Sequence, residues 1–328
     1  MKRVDFEFHY YIPEALEVMA LNKNQYPYYD EDSNSIMWTD KIAEPQEIKS
    51  KLLMTGDDRI EYMDNCGIET AILSSAPGID ELGENSIELC KKINNDMYEQ
   101  SKKYPGRILG SASLPMHDPQ AACDELKRCV EEMGFVAWHA HSNVLAKGLD
   151  EEIFFPIFKQ AADLGVYVYL HPRCSYNERL TGYEFNLAGP GLGFTLDAQI
   201  SIIKLILNGT FDRLPNLTVM LGHLAEGLSF YMDRIQSRIH VHPVETIKME
   251  HELKYYFKNN IMASTSGNTC KESFLMTKEI MGIDRMVIGT DTPFENGKVM
   301  SNFLDGLPLT VEEREQLYFR NAESILRR

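Results

Sequence analysis

The chain has 328 residues, a formal net charge of −16 and 44% hydrophobic residues, which is typical of a folded globular protein rather than a disordered or fibrous one. The acidic balance and the lack of a dense basic run exclude a nucleic-acid-binding role, because neutralising phosphates requires clustered Lys and Arg. No apolar run reaches the roughly 18 residues of a membrane span, and the N-terminus is not typical of a signal peptide, so we expect a cytoplasmic protein with no membrane partner.

Short β-rich runs alternate with amphipathic segments along the chain. The strand-like runs lie at residues 3–8, 69–74, 107–112, 135–139, 166–170, 217–221, 260–264 and 285–288. Helical patterns lie at residues 57–65, 85–103, 119–133, 151–164, 194–207, 226–240 and 271–281, and the tail 310–326 can supply the last helices. Eight βα repeats predict an α/β fold, a (β/α)8 TIM barrel that forms one domain over residues 1–328.

A doubly wound parallel sheet is the competing fold. That fold usually has fewer strands and a glycine-rich phosphate loop after the first strand, whereas here the first strand ends in Glu7-Phe8-His9. Residues 22–49 are polar and show no clear period. Because a long structureless loop in a compact domain is usually functional, we expect residues 14–55 to form a lid-like insertion over the barrel mouth.

Three predicted strands end in side chains that bind metals. Glu7 and His9 end the first strand, His171 ends the fifth and Asp291 follows the eighth. A barrel places its chemistry at the carboxyl ends of its strands, and residues i and i+2 of a strand share a face, so Glu7 and His9 both point inward. Unpaired polar groups there would cost several kcal/mol. The four residues therefore predict one divalent ion, Zn²⁺, Mn²⁺ or Fe²⁺, with the carboxylates favouring Mn²⁺.

Further candidates lie near the same strand ends. His223 follows the sixth strand and precedes Glu226 by three residues, which indicates either an acid/base histidine steered by a carboxylate or a helix-start glutamate beside a core histidine. Arg234 either pairs with an acid at the rim or binds an anionic substrate. His139 and His141 end the fourth strand with metal-like spacing. Since the other ligands already fill a metal site, we expect these two histidines either to lie behind the metal ligands or to face the substrate.

Several motifs follow one another in an order that points to a known family. They are EFHYYIPE at 7–14, LHPR at 170–173, LGHLAEGLSF at 221–230 and GTDTPFE at 289–295. Together they resemble the metal-dependent amidohydrolase superfamily, and within it the non-oxidative decarboxylase branch typified by γ-resorcylate, 2,3-dihydroxybenzoate and 5-carboxyvanillate decarboxylases. The resemblance covers almost the whole chain, and the segment at 221–230 is its most specific part.

The resemblance implies roles for these residues. It implies a barrel with one divalent metal, Zn or Mn, and a homodimer or homotetramer. The metal ligands it implies are Glu7, His9, His171 and Asp291. It places His223 and Glu226 at the substrate, with Arg234 close by. The chain departs from the branch at positions that border the substrate space, among them Tyr10, His139 and His141, which are therefore candidate substrate-binding residues.

The expected activity is decarboxylation of a small anionic substrate, a hydroxylated aromatic or enol-type carboxylic acid. The metal chelates the carboxylate and a neighbouring hydroxyl, Asp291 relays a proton to the carboxylate-bearing carbon, and His223 and Glu226 set its protonation before CO₂ leaves. No organic cofactor is needed. The alternative is metal-dependent hydrolysis of a lactone or amide by a metal-activated water, which the same residues support.

Overall fold

Eight parallel strands form the centre of the molecule in this computed structural model, which describes residues 1–24, 26–79, 82–144, 146–174, 178–180, 182–183 and 185–326. The strands are β1 Val4–Tyr10, β2 Thr70–Ser75, β3 Ile108–Ala112, β4 Ala137–His141, β5 Tyr167–His171, β6 Val219–Leu221, β7 Ile261–Ser264 and β8 Met286–Val287. Each pairs with the next in sequence. The sheet closes where the Phe6 amide donates to the Ile288 carbonyl oxygen at 2.9 Å, which confirms the (β/α)8 TIM barrel.

One main helix follows each strand. These helices are α1 Gly56–Cys66, α2 Asn85–Lys103, α3 Pro119–Met133, α4 Phe155–Leu164, α5 Gly193–Leu207, α6 Leu228–Val241, α7 Lys271–Met281 and α8 Gly297–Asp305. α3 shows why the sequence signals work, since the Asp118 side chain accepts hydrogen bonds from two first-turn amides, Pro119 starts the helix and Gly134 ends it at φ 70°. Predicted and observed boundaries agree in α2, α3 and α7.

Shorter elements complete the chain. They are 3₁₀ turns at Glu152–Phe154, Glu178–Leu180 and Ile283–Arg285, a hairpin of Asn143–Val144 with Lys147–Gly148, short helices at Phe185–Ala188, Thr210–Arg213 and Leu253–Asn259, a turn at Gly222–Glu226, and the C-terminal helices Val311–Glu315, Gln316–Arg320 and Asn321–Leu326. α8 was not predicted from the sequence, although its nine residues form an amphipathic helix. The helix predicted at 226–240 begins instead at Leu228, because the preceding residues have left-handed backbone angles.

The segment 14–55 folds into short elements of its own. It contains most of the helix Pro13–Ala20, the antiparallel hairpin Tyr28–Asp30 with Ser35–Met37, and the helix Gln46–Leu52. The Tyr11 amide donates to the Leu52 carbonyl oxygen at 2.9 Å, which holds the two ends of the segment together. Elements of three to eight residues are too short for a detectable hydrophobic period, which is why the sequence pattern is featureless here.

One described helical stretch, Phe185–Leu207, is long and apolar enough to cross a membrane by length and composition, in contrast to the expectation from the sequence. Such stretches also occur as core helices of globular barrels. Here Ala198, Ile202 and Leu205 of α5 are fully or almost fully buried, as expected of a helix packed on a barrel.

The barrel interior is divided into an apolar layer and a polar layer. The apolar layer is formed by Phe6, Ile72, Ala137, Tyr167, Tyr169, Met220, Met262 and Val287. Above it, at the carboxyl ends of the strands, the interior side chains are acids and imidazoles that are almost completely buried. This polar layer is where a barrel of this type carries its functional site.

Candidate metal centre and active site

A bulge in β1 brings two consecutive side chains into the barrel. Asp5 pairs with Ala71 and Phe8 pairs with Leu73, so β1 has one more residue than β2 over this stretch. The extra residue lets Phe6 contribute to the apolar layer while Glu7, the next residue, also faces the interior.

Four predicted ligands converge in the polar layer. Glu7 Oε1 lies 3.7 Å from both His9 Nε2 and His171 Nε2, and Asp291 Oδ1 lies 3.3 Å from His9 Nε2. One potential ligand atom from each of the four residues lies within 4.8 Å of all the others. The set of two carboxylate oxygens and two imidazole nitrogens suits a divalent cation such as Mn²⁺ or Zn²⁺.

The polar atoms that face this space fit a metal ion. In the described part of the chain, neither Glu7 Oε1 nor His9 Nε2 has a hydrogen-bond partner, although both atoms are fully buried. The opposite edges of the ligands are satisfied, because Ser74 Oγ lies 3.0 Å from His9 Nδ1, the Pro172 carbonyl oxygen lies 2.6 Å from His171 Nδ1, and the Tyr169 hydroxyl donates to Glu7 Oε2. Such outer partners fix the ring orientation of metal ligands.

Charges within the ligand group favour cation binding. Burial lowers the pKa of His9, but its proximity to Asp291 and Glu7 outweighs burial and raises that pKa to about 9. Burial raises the pKa of Asp291, but His223 and His9 outweigh it and hold this pKa well below its usual range. Burial, together with the neighbouring His9, lowers the pKa of His171. Asp291 is therefore ionised, His171 is neutral, and His9 can exchange its proton for a metal ion.

An unusual turn points the His223 side chain toward the four metal ligands. Residues 223–226 all have positive φ, between 51° and 59°, and Gly227 continues at 69°. Left-handed conformations cost about 1 kcal/mol or more for each residue with a side chain, so the surrounding barrel must hold the turn in place. One such contact is the hydrogen bond from the His223 amide to Ser266 Oγ at 3.0 Å.

The turn also pairs His223 with two carboxylates. Its Nδ1 lies 2.7 Å from Glu226 Oε1, and its Nε2 lies 3.8 Å from Asp291 Oδ2. Burial lowers the pKa of His223, but Glu226 and Asp291 outweigh burial and raise that pKa well above its usual value. His223 is therefore a charged imidazolium held between one carboxylate that orients it and one that belongs to the ligand group.

The metal-ligand group borders a pocket of about 180 Å³. This volume exceeds the roughly 150 Å³ that accommodates benzene in an engineered cavity, so one substituted ring fits. Its apolar walls are formed by aromatic rings, prolines and an isoleucine, and its polar surface is formed by acids and imidazoles. The lining residues are Trp38, Glu44, Ile48, Pro77, His171, Pro172, Phe185, Pro190, Phe194, His223, Asp291, Phe294 and Glu295.

His139 and His141 lie beside the ligands but do not line the pocket. The His139 ring centroid lies 5.5 Å from that of His9 and 5.2 Å from that of His171, and the His141 centroid lies 5.4 Å from that of His171. His139 also forms a second group of potential ligand atoms with His9 and His171. Burial lowers the pKa of His139 well below its usual value, so it is neutral.

The structure does not bring Tyr10 and Arg234 to the pocket. Tyr10 alternates to the outer face of β1, where its hydroxyl donates to the Ile93 carbonyl oxygen at 3.1 Å and its ring lies under the Arg59 guanidinium. Arg234 is exposed on α6, which begins at Leu228 and does not continue a helix from Glu226.

Several pocket residues were not predicted from the sequence. Phe294 and Glu295 follow Asp291 within a motif already singled out, so their proximity was a usable signal. Trp38 and Glu44 lie in the aperiodic segment 14–55, where the sequence pattern gives no register.

Comparisons with known proteins agree with this geometry. The Amidohydrolase family model matches residues 44–328. A γ-resorcylate decarboxylase of Polaromonas sp. is 32% identical over 293 residues, which cover 86% of this chain and 90% of that protein.

Two solved structures have a similar fold over almost their whole length. The 2,6-dihydroxybenzoate decarboxylase from Rhizobium superposes with a TM-score of 0.86 at 28% identity, covering 100% of this chain and 99% of that one. A dihydroxybenzoic acid decarboxylase from Polaromonas sp., crystallised with manganese and the inhibitor 2-nitroresorcinol, also gives a TM-score of 0.86 at 28% identity, with coverages of 99% and 97%.

Proposed function

We propose that this chain, which belongs to the amidohydrolase family, is a metal-dependent non-oxidative decarboxylase of a hydroxylated aromatic carboxylic acid. One observation carries the proposal: the buried, unsatisfied atoms of Glu7 and His9 meet His171 and Asp291 beside a pocket with partly aromatic walls and the volume of one ring. The Polaromonas relative and the two dihydroxybenzoate decarboxylases support the same reaction class.

The metal would be held by Glu7, His9, His171 and Asp291. When bound, a divalent ion supplies Lewis-acid polarisation of the substrate's carboxylate and its neighbouring hydroxyl. We assign Mn²⁺ ahead of Zn²⁺, because two of the four ligands are carboxylates and the Polaromonas structure contains manganese. No organic cofactor is required, because the ring hydroxyl lets the substrate accept electron density itself.

The protein's own residues supply and place the proton. Glu226 keeps His223 protonated, and His223 Nε2 faces Asp291 Oδ2 at 3.8 Å. Asp291 relays this proton to the ring carbon that bears the carboxylate, and it is protonated only in passing because its pKa lies far below that of His223. The carbon–carbon bond then breaks, its electron pair restores the aromatic ring, and CO₂ leaves as a neutral molecule.

The surroundings of the metal centre position the substrate. The segment 14–55 acts as a lid, supported by the presence of Trp38, Glu44 and Ile48 in the pocket wall. His139 and His141 make the layer beside the metal ligands polar. Tyr10 and Arg234 do not line the substrate pocket within one copy of the chain. The proposal includes the cytoplasmic location and the homodimer or homotetramer expected from the sequence.

The experiment is a CO₂-release assay with 2,6-dihydroxybenzoate and related hydroxybenzoates on protein loaded with Mn²⁺ or Zn²⁺. We expect CO₂ and the corresponding phenol in equal amounts, and near-complete loss of turnover in Asp291→Asn and His223→Asn. Asp233→Asn, which removes an exposed acid on α6, is the matched control and keeps wild-type activity.

Two results would refute the proposal. One is wild-type turnover in both Asp291→Asn and His223→Asn. The other is ring opening of a lactone, or cleavage of an amide, with no CO₂ from any hydroxybenzoate, which would establish the hydrolase alternative.

A further inference from the structure

Glu44 is a buried acid with an incomplete set of partners. Its side chain comes from the segment 14–55 and lines the pocket, and the residue is only 7% exposed. Among the residues that the structure describes, its only side-chain hydrogen-bond donor is the Trp38 indole, which binds Oε2 at 2.5 Å. No described residue donates a hydrogen bond to Oε1. A carboxylate that is this little exposed is expensive unless it is fully hydrogen-bonded or paired with a cation.

The charges around the pocket do not provide that partner. Glu44, Asp291 and Glu295 all line it, and no lysine or arginine does among the described residues. The His223 imidazole also lines the pocket, but its two nitrogens already face Glu226 and Asp291. A bound metal ion would balance Asp291, which is one of its ligands, but it would leave the charges of Glu44 and Glu295 unbalanced.

The walls on the same side are aromatic faces. Trp38 stacks on Phe185 with centroids 4.9 Å apart and an angle of 20° between the rings, and its edge meets Phe294 at 6.2 Å. Aromatic faces attract ammonium and N–H groups through their quadrupoles. An acid set among aromatic rings is therefore suited to a hydrogen-bond donor that carries full or partial positive charge.

We propose that the lid side of the pocket is a donor subsite, in which Glu44 accepts a hydrogen bond from an amino or hydroxyl group on the substrate edge opposite the metal-binding carboxylate. The substrate is then a hydroxylated aromatic acid with a second hydrogen-bond donor. This inference rests on the proposed function, which orients the ring by binding its carboxylate at the metal. It adds that the opposite edge of the ring carries a hydrogen-bond donor.

The test compares ligands that differ only at that edge. The probes are 2-hydroxybenzoates with a methyl, hydroxyl, amino or aminomethyl group at ring position 4, titrated calorimetrically into the Mn²⁺-loaded protein. A hydrogen bond to a carboxylate is worth roughly 10- to 100-fold in affinity, so the three donor ligands should bind at least about tenfold more tightly than the methyl ligand. The affinities of the neutral amino ligand and the charged aminomethyl ligand show whether the subsite prefers an N–H donor or a cation.

Glu44→Gln and Glu47→Gln provide the protein side of the test. Both remove one negative charge from the same segment, but Glu47 is exposed and pairs with Lys51. We expect Glu44→Gln to abolish most of the preference for donor ligands and Glu47→Gln to preserve it. If Glu44→Gln does not fold, the affinities of the methyl and donor ligands for the wild-type protein still test the donor subsite.

CO₂ release from the same probes separates this inference from the proposed function. Donor-dependent binding without CO₂ from any probe supports the subsite and refutes decarboxylation. CO₂ release with equal affinities for the methyl and amino ligands supports decarboxylation and overturns the subsite. A donor preference that persists unchanged in Glu44→Gln also overturns the role of Glu44.

Discussion

Gly267 lies directly against the His223 imidazole, and its replacement by alanine tests whether the position of that ring controls turnover. A Cβ atom at Gly267 would lie 2.8 Å from His223 Cδ2 and 3.5 Å from Asp291 Oδ2. The residue also has φ +61°, where an alanine side chain costs about 1 kcal/mol. Gly267→Ala therefore combines a small backbone cost with a direct clash at the proposed proton donor.

The size of the effect follows from the distance. The approach of 2.8 Å is about 0.6 Å inside the 3.4 Å at which ordinary van der Waals contact begins. The imidazole must move by about this amount, and misplacing a reacting group by about 1 Å costs about 100-fold in rate. We expect kcat to fall roughly 10- to 100-fold. Metal content and KM should change little, because the contact between the new methyl group and the ligand Asp291, at 3.5 Å, is an ordinary van der Waals contact.

The assay is steady-state CO₂ release together with metal analysis of the same preparations. Gly134→Ala is the matched control, since Gly134 has φ +70° but no atom within 4 Å of its added Cβ. This variant should lose about the same stability and keep wild-type kcat. Wild-type kcat in Gly267→Ala would refute the role of the His223 position, and so would a fall in kcat that is matched by loss of bound metal.

Three further predictions concern the polar layer. In Glu226→Gln, His223 loses the charge that raises its pKa, so the protonated form is lost at lower pH and the alkaline fall of kcat moves to lower pH. In Ser74→Ala, His9 Nδ1 loses its 3.0 Å partner, and the metal dissociation constant should rise about 10- to 100-fold. Removing the metal by chelation should lower the melting temperature, because metal at 100 times its dissociation constant stabilises the folded state by about 2.7 kcal/mol.

Each of these predictions has a measurement that can contradict it. An unchanged pH profile in Glu226→Gln would show that the Glu226 charge does not set the state of His223. Unaltered metal affinity in Ser74→Ala, measured by competition with a chelating dye, would remove the hydroxyl from the support of His9. A chelated protein that melts at the same temperature as the metal-loaded protein would contradict metal binding at buried ligands.

The ligand set was predictable because it is encoded locally. Each ligand directly ends or follows a short β-rich run, so the barrel pattern alone places Glu7, His9, His171 and Asp291 at one mouth. Side chains alternate along β1, so His9 lies inside the barrel and Tyr10 lies outside it. This alternation predicts that Tyr10 does not line the substrate pocket.

Other features depend on tertiary structure that no local pattern records. The left-handed turn at 223–226 contains no glycine before Gly227, so the sequence favours a right-handed helix from Glu226 and gives a wrong register for Arg234. The bulge in β1 is visible only in its pairing with β2. Trp38 and Glu44 reach the pocket through a segment whose elements are too short for a hydrophobic period.

The segment 14–55 allows the wall of the substrate pocket and the metal-binding residues to change independently under selection. Its ends are joined by the hydrogen bond from the Tyr11 amide to Leu52, so its interior can vary in length and composition while β1 and α1 stay in place. Glu7 and His9 precede the segment, whereas Trp38, Glu44 and Ile48 lie within it. Changes within this single stretch during evolution would therefore reshape one wall of the substrate pocket while Glu7 and His9 are inherited unchanged.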